Sequence, residues 1–184
     1  MTLNDILVAS LAQLDRGHDA QTLDTWRDKL TLFVNDAVKD IAAAIPQKRR
    51  EKVKLIGGRI QTESLSRECL RVYRVIIDGA DVEFTDGEET GAVYIENAQR
   101  LSVNDVEVLY AFAPRTLTSP TDVPELPEIC HGLIVCYVVG RERASGDVST
   151  QSGSNPYMRL YENGKSALRQ RAGGQNRFRI VNRW

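Results

Sequence analysis

LRVYRVII, residues 70–77, followed by Asp78-Gly79, is the stretch of sequence on which the fold depends. Its β-branched and aromatic residues favour a strand, and an Asp-Gly pair after such a run predicts a tight hairpin turn. About four to six short strands at this spacing predict a small antiparallel sheet or sandwich. The neighbouring runs of the same kind are VKLIGGRI (53–60), 81–85, AVYIE (92–96) and VEVLYAFA (106–113).

Two amphipathic helices are predicted before the strands. Leucines recur at helical spacing between residues 3 and 14, and Gly17 is expected to end the first helix. The second helix is predicted to begin at Asp24 or Thr25 and to end before Pro46. Its expected buried stripe consists of Trp26, Leu30, Phe33, Ala37, Ile41 and Ala44.

Two further helices are predicted after the strands. The third begins near Leu126 and is apolar nearly all round, so it should be the most buried helix. Asn155-Pro156 predicts the start of the fourth, because asparagine caps helices and proline suits the first turn. Gly164 should weaken this helix by about 1 kcal/mol relative to alanine. Gly173-Gly174 should end it, and residues 144–154 are expected to form a loop.

The order of these elements predicts an α+β fold. A bundle of about four helices, residues 1–50 and 120–171, would enclose a β-rich insertion at 51–119. An extended basic C-terminal arm, 172–184, would follow. The charged segment QKRREK (47–52) could be a nucleic-acid patch, but a solvated connector between helix and sheet is favoured.

The chain combines an acidic body with a cationic end. Its formal net charge is −1, and removing the six bases from Lys165 onward, which have no acid among them, leaves −7 for residues 1–164. The closing RFRIVNRW (177–184) alternates basic and apolar residues. It could bind nucleic acid or add a strand to a partner's sheet edge. The second is favoured, because the acidic body would repel a phosphate backbone.

Residues that could perform catalysis or bind a metal are sparse. His131 lies three residues after Glu128, but no nucleophile motif accompanies the pair, so a structural histidine is expected. The acids of DGEET (86–90) could bind calcium, although the EF-hand spacing is absent and a solvated turn is favoured. We therefore expect no catalytic residue, no metal and no cofactor.

The cysteines and the N-terminus indicate the cellular setting. Cys69, Cys130 and Cys136 are odd in number and lack C-x-x-C spacing, which favours buried free thiols over a disulfide. The opening residues lack the basic segment of a signal peptide, and no stretch approaches the roughly 20 apolar residues of a membrane span. A soluble protein of a reducing compartment, without membrane contact, is expected.

Three segments follow one another around the strand-rich insert: WRDKLTLFVNDA (26–37), ELPEICHGLIVCYVVGRERASGD (125–147) and SNPYMRLYENGKSAL (154–168). In this order they resemble the head–tail adaptor, or connector, proteins of tailed phages. The resemblance covers roughly residues 3–168. The positions that carry it in the last two segments are Leu126, Pro127, His131, Leu133, Ile134, Val135, Tyr137, Arg141, Tyr157 and Tyr161.

The resemblance implies a non-enzymatic structural protein of the virion neck, made in the host cytoplasm. Such adaptors form a homo-oligomeric ring, usually of twelve copies, beneath the portal protein. The ring extends the DNA channel, through which the genome passes without specific binding, and it docks the tail or tail-tube protein. The helical bundle lies between ring neighbours, and the β insertion projects from it.

The resemblance also implies roles for two groups of residues. C-terminal segments of these adaptors commonly reach into the portal. Subunit-interface or core positions of the bundle are expected at Leu126, Ile129, Leu133, Tyr137, Tyr157 and Tyr161. The portal-binding arm would consist of Arg171, Arg177, Phe178, Arg179, Ile180, Val181, Arg183 and Trp184.

Three other functions stay open at this point. The chain could be a tail-tube completion or collar protein. It could be a small cell-wall or nucleic-acid hydrolase that uses Glu128 with His131 or the acids of DGEET. It could also be a nucleic-acid-binding module that uses its basic tail.

Overall fold

The computed structural model describes residues 1–17, 19–86, 91–95, 105–144 and 155–173. The chain divides into two compact units. The helical unit is formed by Met1–Ile45 and the chain from Pro114 onward, and the β unit is formed by Pro46–Ala113. Each unit has an apolar core of its own.

The described part of the helical unit contains four α-helices. Side-chain oxygens of Thr2, Asp19 and Asn155 accept backbone N–H bonds and cap the first, second and fourth of them. The third helix packs against all of the other three. The bounds are α1 (Leu3–Gln13), α2 (Ala20–Ala44), α3 (His131–Ala144) and α4 (Pro156–Gly173).

The first two helices have other limits than those predicted. α1 ends before Gly17, and Asp15 rather than the glycine adopts a positive φ of 56°. α2 begins at Ala20, because the carboxylate of Asp19 accepts two backbone N–H bonds of the first turn. The helix therefore starts ahead of Asp24.

The third helix begins later than predicted. Glu128–Cys130 forms a 3-10 turn, and α3 starts only at His131. Pro127 has an extended backbone, with ψ 141°, which keeps the helix from starting earlier. Leu126 and Ile129 therefore precede the helix, where the sequence predicts them within it.

Seven described strands form the β unit in two small antiparallel sheets. One sheet has the order β1-β7-β3-β4 and the other β2-β6-β5, and side chains of both contribute to one apolar cluster. The predicted α+β class with a small antiparallel β insertion is confirmed. The bounds are β1 (Lys48–Lys54), β2 (Arg59–Gln61), β3 (Cys69–Ile77), β4 (Ala80–Val82), β5 (Phe84–Asp86), β6 (Ala92–Ile95) and β7 (Asp105–Phe112).

The sequence predicts a connector at residues 47–52, and this prediction is wrong. Residues 48–52 form the greater part of β1, which pairs with β7 along its whole length. The β unit accordingly begins at Pro46 and ends at Ala113 rather than spanning 51–119. Within β1 only Val53 is buried, so the strand has little apolar pattern by which to predict it.

The hairpin turn at Asp78-Gly79 is confirmed. Asp78 has φ 50° and Gly79 has φ 83°, as the central residues of a type I′ turn require. Ile77 and Ala80 pair directly across the turn.

Candidate interaction surface of the helical unit

Two glycines bring α3 and α4 into close contact. A Cβ added at Gly140 of α3 would lie 2.7 Å from Sδ of Met158 in α4. A Cβ added at Gly164 of α4 would approach the Cδ2 atom of Leu133 in α3 even more closely. Each helix therefore offers a gap that a side chain of the other fills, and Gly164 has a packing role in addition to its cost for the isolated helix.

A polar cluster joins α2 to α4. The hydroxyl of Tyr161, which is fully buried, donates to the carboxylate of Asp40. Nζ of Lys165 lies 2.7 Å from the same Asp40 oxygen and 3.1 Å from Oε1 of Glu162. The ring of Tyr137 meets that of Tyr161 edge to face at 5.0 Å between centroids. This cluster sets the position of α4 on the bundle.

The surroundings of the cluster change its proton affinities. Burial is the main cause that raises the pKa of Tyr161, and the charge and hydrogen bond of Asp40 act in the same direction. Burial would raise the pKa of Asp40 as well, but the bonds from Lys165 and Tyr161 outweigh it and lower that pKa. At neutral pH the phenol is therefore a proton donor to a carboxylate, an arrangement that suits structure.

A second charged cluster surrounds Glu142 of α3. Its carboxylate lies 3.3 Å from a guanidinium nitrogen of Arg16 and 2.7 Å from Nζ of Lys29, and its side chain is only 5% exposed. The Arg16 guanidinium also lies 3.6 Å from the centroid of the Trp26 ring. The segment after α1, α2 and α3 are joined at this point.

The predicted interface or core residues separate into three environments. Leu126 and Tyr161 are buried in the core of the unit. Leu133, Tyr137 and Tyr157 are half-buried, and the hydroxyl of Tyr157 donates to Oε1 of Gln13 at 3.0 Å. Ile129 is 62% exposed and belongs to the surface rather than the core.

Two further apolar side chains of the helical unit are exposed at other positions. Leu32 on α2 is 66% exposed, and Leu160 on α4 is 57% exposed. Leu32 lies outside the apolar stripe of its helix, which is the signal in the sequence that could have marked it as a surface residue. We define the exposed apolar set as Leu32, Ile129 and Leu160.

His131 occupies a buried position at the start of α3. It is 3% exposed, and its Nδ1 lies 2.9 Å from the amino group of Met1. Burial is the first cause that lowers the pKa of the imidazole, and the positive N-terminal amine is the second. Glu128 is exposed to solvent. Because the imidazole is buried and neutral, its role is more consistent with packing at the start of α3 than with proton transfer to a substrate.

Metal and membrane features are absent from the part of the chain that the structure describes. No group of three or more His, Cys, Asp or Glu side chains there could hold a metal ion. None of the described helices is long and apolar enough to cross a membrane. Cys130 and Cys136 are free thiols, and Cys130 is fully buried.

Several predicted features lie outside the described residues. They include the acids of DGEET after Asp86, the loop at 145–154 and the arm from residue 174 onward. Arg171 belongs to α4 by its backbone.

Comparison with known proteins adds no family assignment. A scan against protein-family models finds no match, and no curated protein matches the sequence.

Proposed function

We propose that this protein is a head–tail adaptor of a tailed phage, a structural subunit that forms a ring beneath the portal. The ring, of about twelve copies by analogy with the family it resembles, extends the DNA channel and docks the tail. The observation that carries the proposal is that the segments before and after the β unit in the sequence form one helical unit. The described residues of the three family-like segments, 26–37, 125–144 and 155–168, all belong to that helical unit.

The exposed apolar set supports a subunit that buries surface against a neighbouring molecule. A closed ring is built from heterologous contacts, so each copy needs two unlike surfaces. Leu32, Ile129 and Leu160 stand on α2, ahead of α3 and on α4, three separate places along the chain. Burial of such side chains between copies would provide hydrophobic free energy for assembly.

The basic C-terminal arm would supply the attachment to the portal. Residues 177–184 alternate basic and apolar side chains, a pattern that suits an added strand on a partner's sheet edge. Ring attachment would then depend on the presence of the portal.

The test of this proposal is assembly with the portal protein of the same phage. Native mass spectrometry of the chain, the portal and their mixture should show a fixed number of copies on the portal ring. Deletion of residues 172–184 should abolish this binding while the far-ultraviolet circular dichroism retains its helical signal. Arg177→Glu with Arg179→Glu should weaken binding, more strongly at low salt. Arg27→Glu with Lys39→Glu makes the same charge change on α2 and serves as the control.

Three results would count against parts of the proposal. A truncated chain that binds the portal as well as the intact one would remove the role of the arm. Failure of the intact chain to bind the portal, or its absence from mature particles, would remove the adaptor role. Density inside or around the tail in cryo-electron microscopy of the particle would instead identify a tail-tube completion or collar protein.

A further inference from the structure

One face of the four-stranded sheet in the β unit carries a set of exposed bases. Residues paired directly across antiparallel strands share a face. Lys48, Ala111 and Arg71 form one such row across β1, β7 and β3. The next row is Arg50, Leu109 and Arg74. We define the cationic face by its exposed bases, Lys48, Arg50, Lys52, Lys54, Arg71 and Arg74.

The opposite face of the same sheet packs into the core of the β unit. Val75 and Val108 form a direct pair on that side, and both are fully buried. Val53 and Val106 form another buried pair. The bases are therefore on the side of the sheet that a partner can reach.

Acids on the cationic face lie toward one end of it, where Glu107 pairs directly with Lys52 and Asp105 with Lys54. Glu107 lies 3.6 Å from Arg50, and Asp81 lies 3.5 Å from Arg74. Arg50 and the whole Arg74–Asp81 pair are exposed, and Glu107 is half-buried, so each pair contributes little and leaves its cation available to another anion. At the other end, Ala111 rather than an acid separates Lys48 from Arg71. The positive potential is therefore strongest around that row.

An aromatic ring lies among the bases at this end. Tyr73 occupies an irregularity of β3, between Val72 and Arg74, where the pairing register with β7 shifts. Its ring centroid is 4.4 Å from Nζ of Lys48 and 5.7 Å from Cζ of Arg71. Cations around a half-exposed aromatic ring can contact phosphates while the ring stacks on a base.

We propose that the cationic face binds the sugar–phosphate backbone of DNA without reading its sequence, because its clustered bases create a local positive potential on a body that is acidic as a whole. From Lys48 to Lys54 the strand extends about 20 Å, and β1 to β3 spans about 10 Å. A DNA strand presents a phosphate about every 3.4 Å, so several phosphates fit along the face. Neither row offers an element that could enter a groove and read base edges, which makes the contact independent of sequence.

The experiment measures binding of the full chain to labelled DNA by fluorescence anisotropy from 50 to 200 mM salt. The probes are a 20-base-pair duplex of arbitrary sequence and an oligothymidine of 20 nucleotides, which separate duplex from single-strand binding. We expect the logarithm of the duplex binding constant to fall with the logarithm of salt at a slope of about −3. Lys48→Glu with Arg71→Glu should reduce affinity at least about tenfold and make that slope shallower by about 2.

The charge-reversed residues are Lys48 and Arg71 rather than Lys52 and Lys54. Lys52 and Lys54 also line a groove of about 490 Å³ together with Glu63, so their substitution would change that groove as well as the cationic face. Two matched variants make the same charge change elsewhere: Arg27→Glu with Lys39→Glu on α2, and Arg177→Glu with Arg179→Glu in the arm. Both should leave affinity within about threefold of the wild type, since neither pair belongs to the face. Tyr73→Ala should weaken binding of the oligothymidine about tenfold, and Tyr73→Phe should not.

Lys48→Gln with Arg71→Gln removes the charges without reversing them and keeps the test decisive should the reversed variant not fold. It should still weaken DNA binding several-fold. The proposal is overturned if the intact chain binds neither probe at 50 mM salt. It is also overturned if only the arm variant loses binding. Displacement of DNA by polyglutamate as effectively as by unlabelled DNA would mark the face as a docking surface for acidic proteins and would equally overturn it.

Discussion

Asp40 holds α4 on the bundle through two donors of different kinds. The Tyr161 hydroxyl is buried and neutral, whereas Lys165 brings a positive charge that is only 9% exposed. Without Asp40, Glu162 would be the one acid left in the ion pairs described for Lys165, and its side chain is 55% exposed. A partly buried ammonium that loses its main partner is costly, because its desolvation is no longer compensated.

Asp40→Asn should therefore lower stability at pH 7 by about 1–3 kcal/mol. Burial would raise the pKa of Asp40, but the bonds from Lys165 and Tyr161 hold it below its ordinary value of 3.8 in the folded protein. Its contribution is thus fully present above about pH 4 and is lost as the pH falls through the folded pKa. Urea unfolding from pH 2.5 to 7 should show a shallower acid limb for Asp40→Asn than for wild type. Asp36→Asn removes a charge from an exposed site on the same helix and should leave the limb unchanged; equal slopes for Asp40→Asn and wild type would disprove the assignment.

Substitution by alanine should have opposite effects on stability at two helical glycines, because Gly164 lies at the contact between α3 and α4 and Gly132 does not. Gly164→Ala favours the isolated helix by about 1 kcal/mol, yet its new Cβ would collide with Leu133, and overpacking costs about 1–3 kcal/mol. A net loss of stability is expected. Gly132→Ala in α3 meets open space and should be neutral or stabilise by up to about 1 kcal/mol. Urea unfolding at pH 7 measures both, and Leu133→Ala in the Gly164→Ala background should recover part of the loss. An increase in stability for Gly164→Ala would refute the close packing.

Elements with an apolar period were predictable from the sequence, and those defined by distant partners were not. α1, β3 and its hairpin turn follow from local patterns, which need no knowledge of the rest of the fold. β1 has few apolar residues and becomes a strand because β7 supplies its hydrogen-bond partners. The packing role of Gly164 depends on Leu133, a residue on another helix.

The same distinction applies to the candidate surface. Tyr161, one of the interface or core residues that the resemblance implies, is fully buried. Ile129 was expected in α3 and instead stands exposed in the 3-10 turn before it. The cationic face combines β1 with β3, strands far apart in sequence, and only their pairing with β7 brings Lys48 next to Arg71.

Two separate apolar clusters, one per unit, should give the chain two unfolding transitions. Ile60 belongs to the cluster of the β unit and Ile134 to that of the helical unit, and both are almost fully buried. Truncation of an isoleucine to alanine in a packed core lowers the free energy of unfolding by about 2–5 kcal/mol. Ile134→Ala should therefore shift the transition followed by helical circular dichroism at 222 nm. Ile60→Ala should shift the one followed by hydrogen exchange of β3 and β7 amides. Each variant should leave the other transition in place, and a single coincident transition displaced equally by both substitutions would show one cooperative core instead.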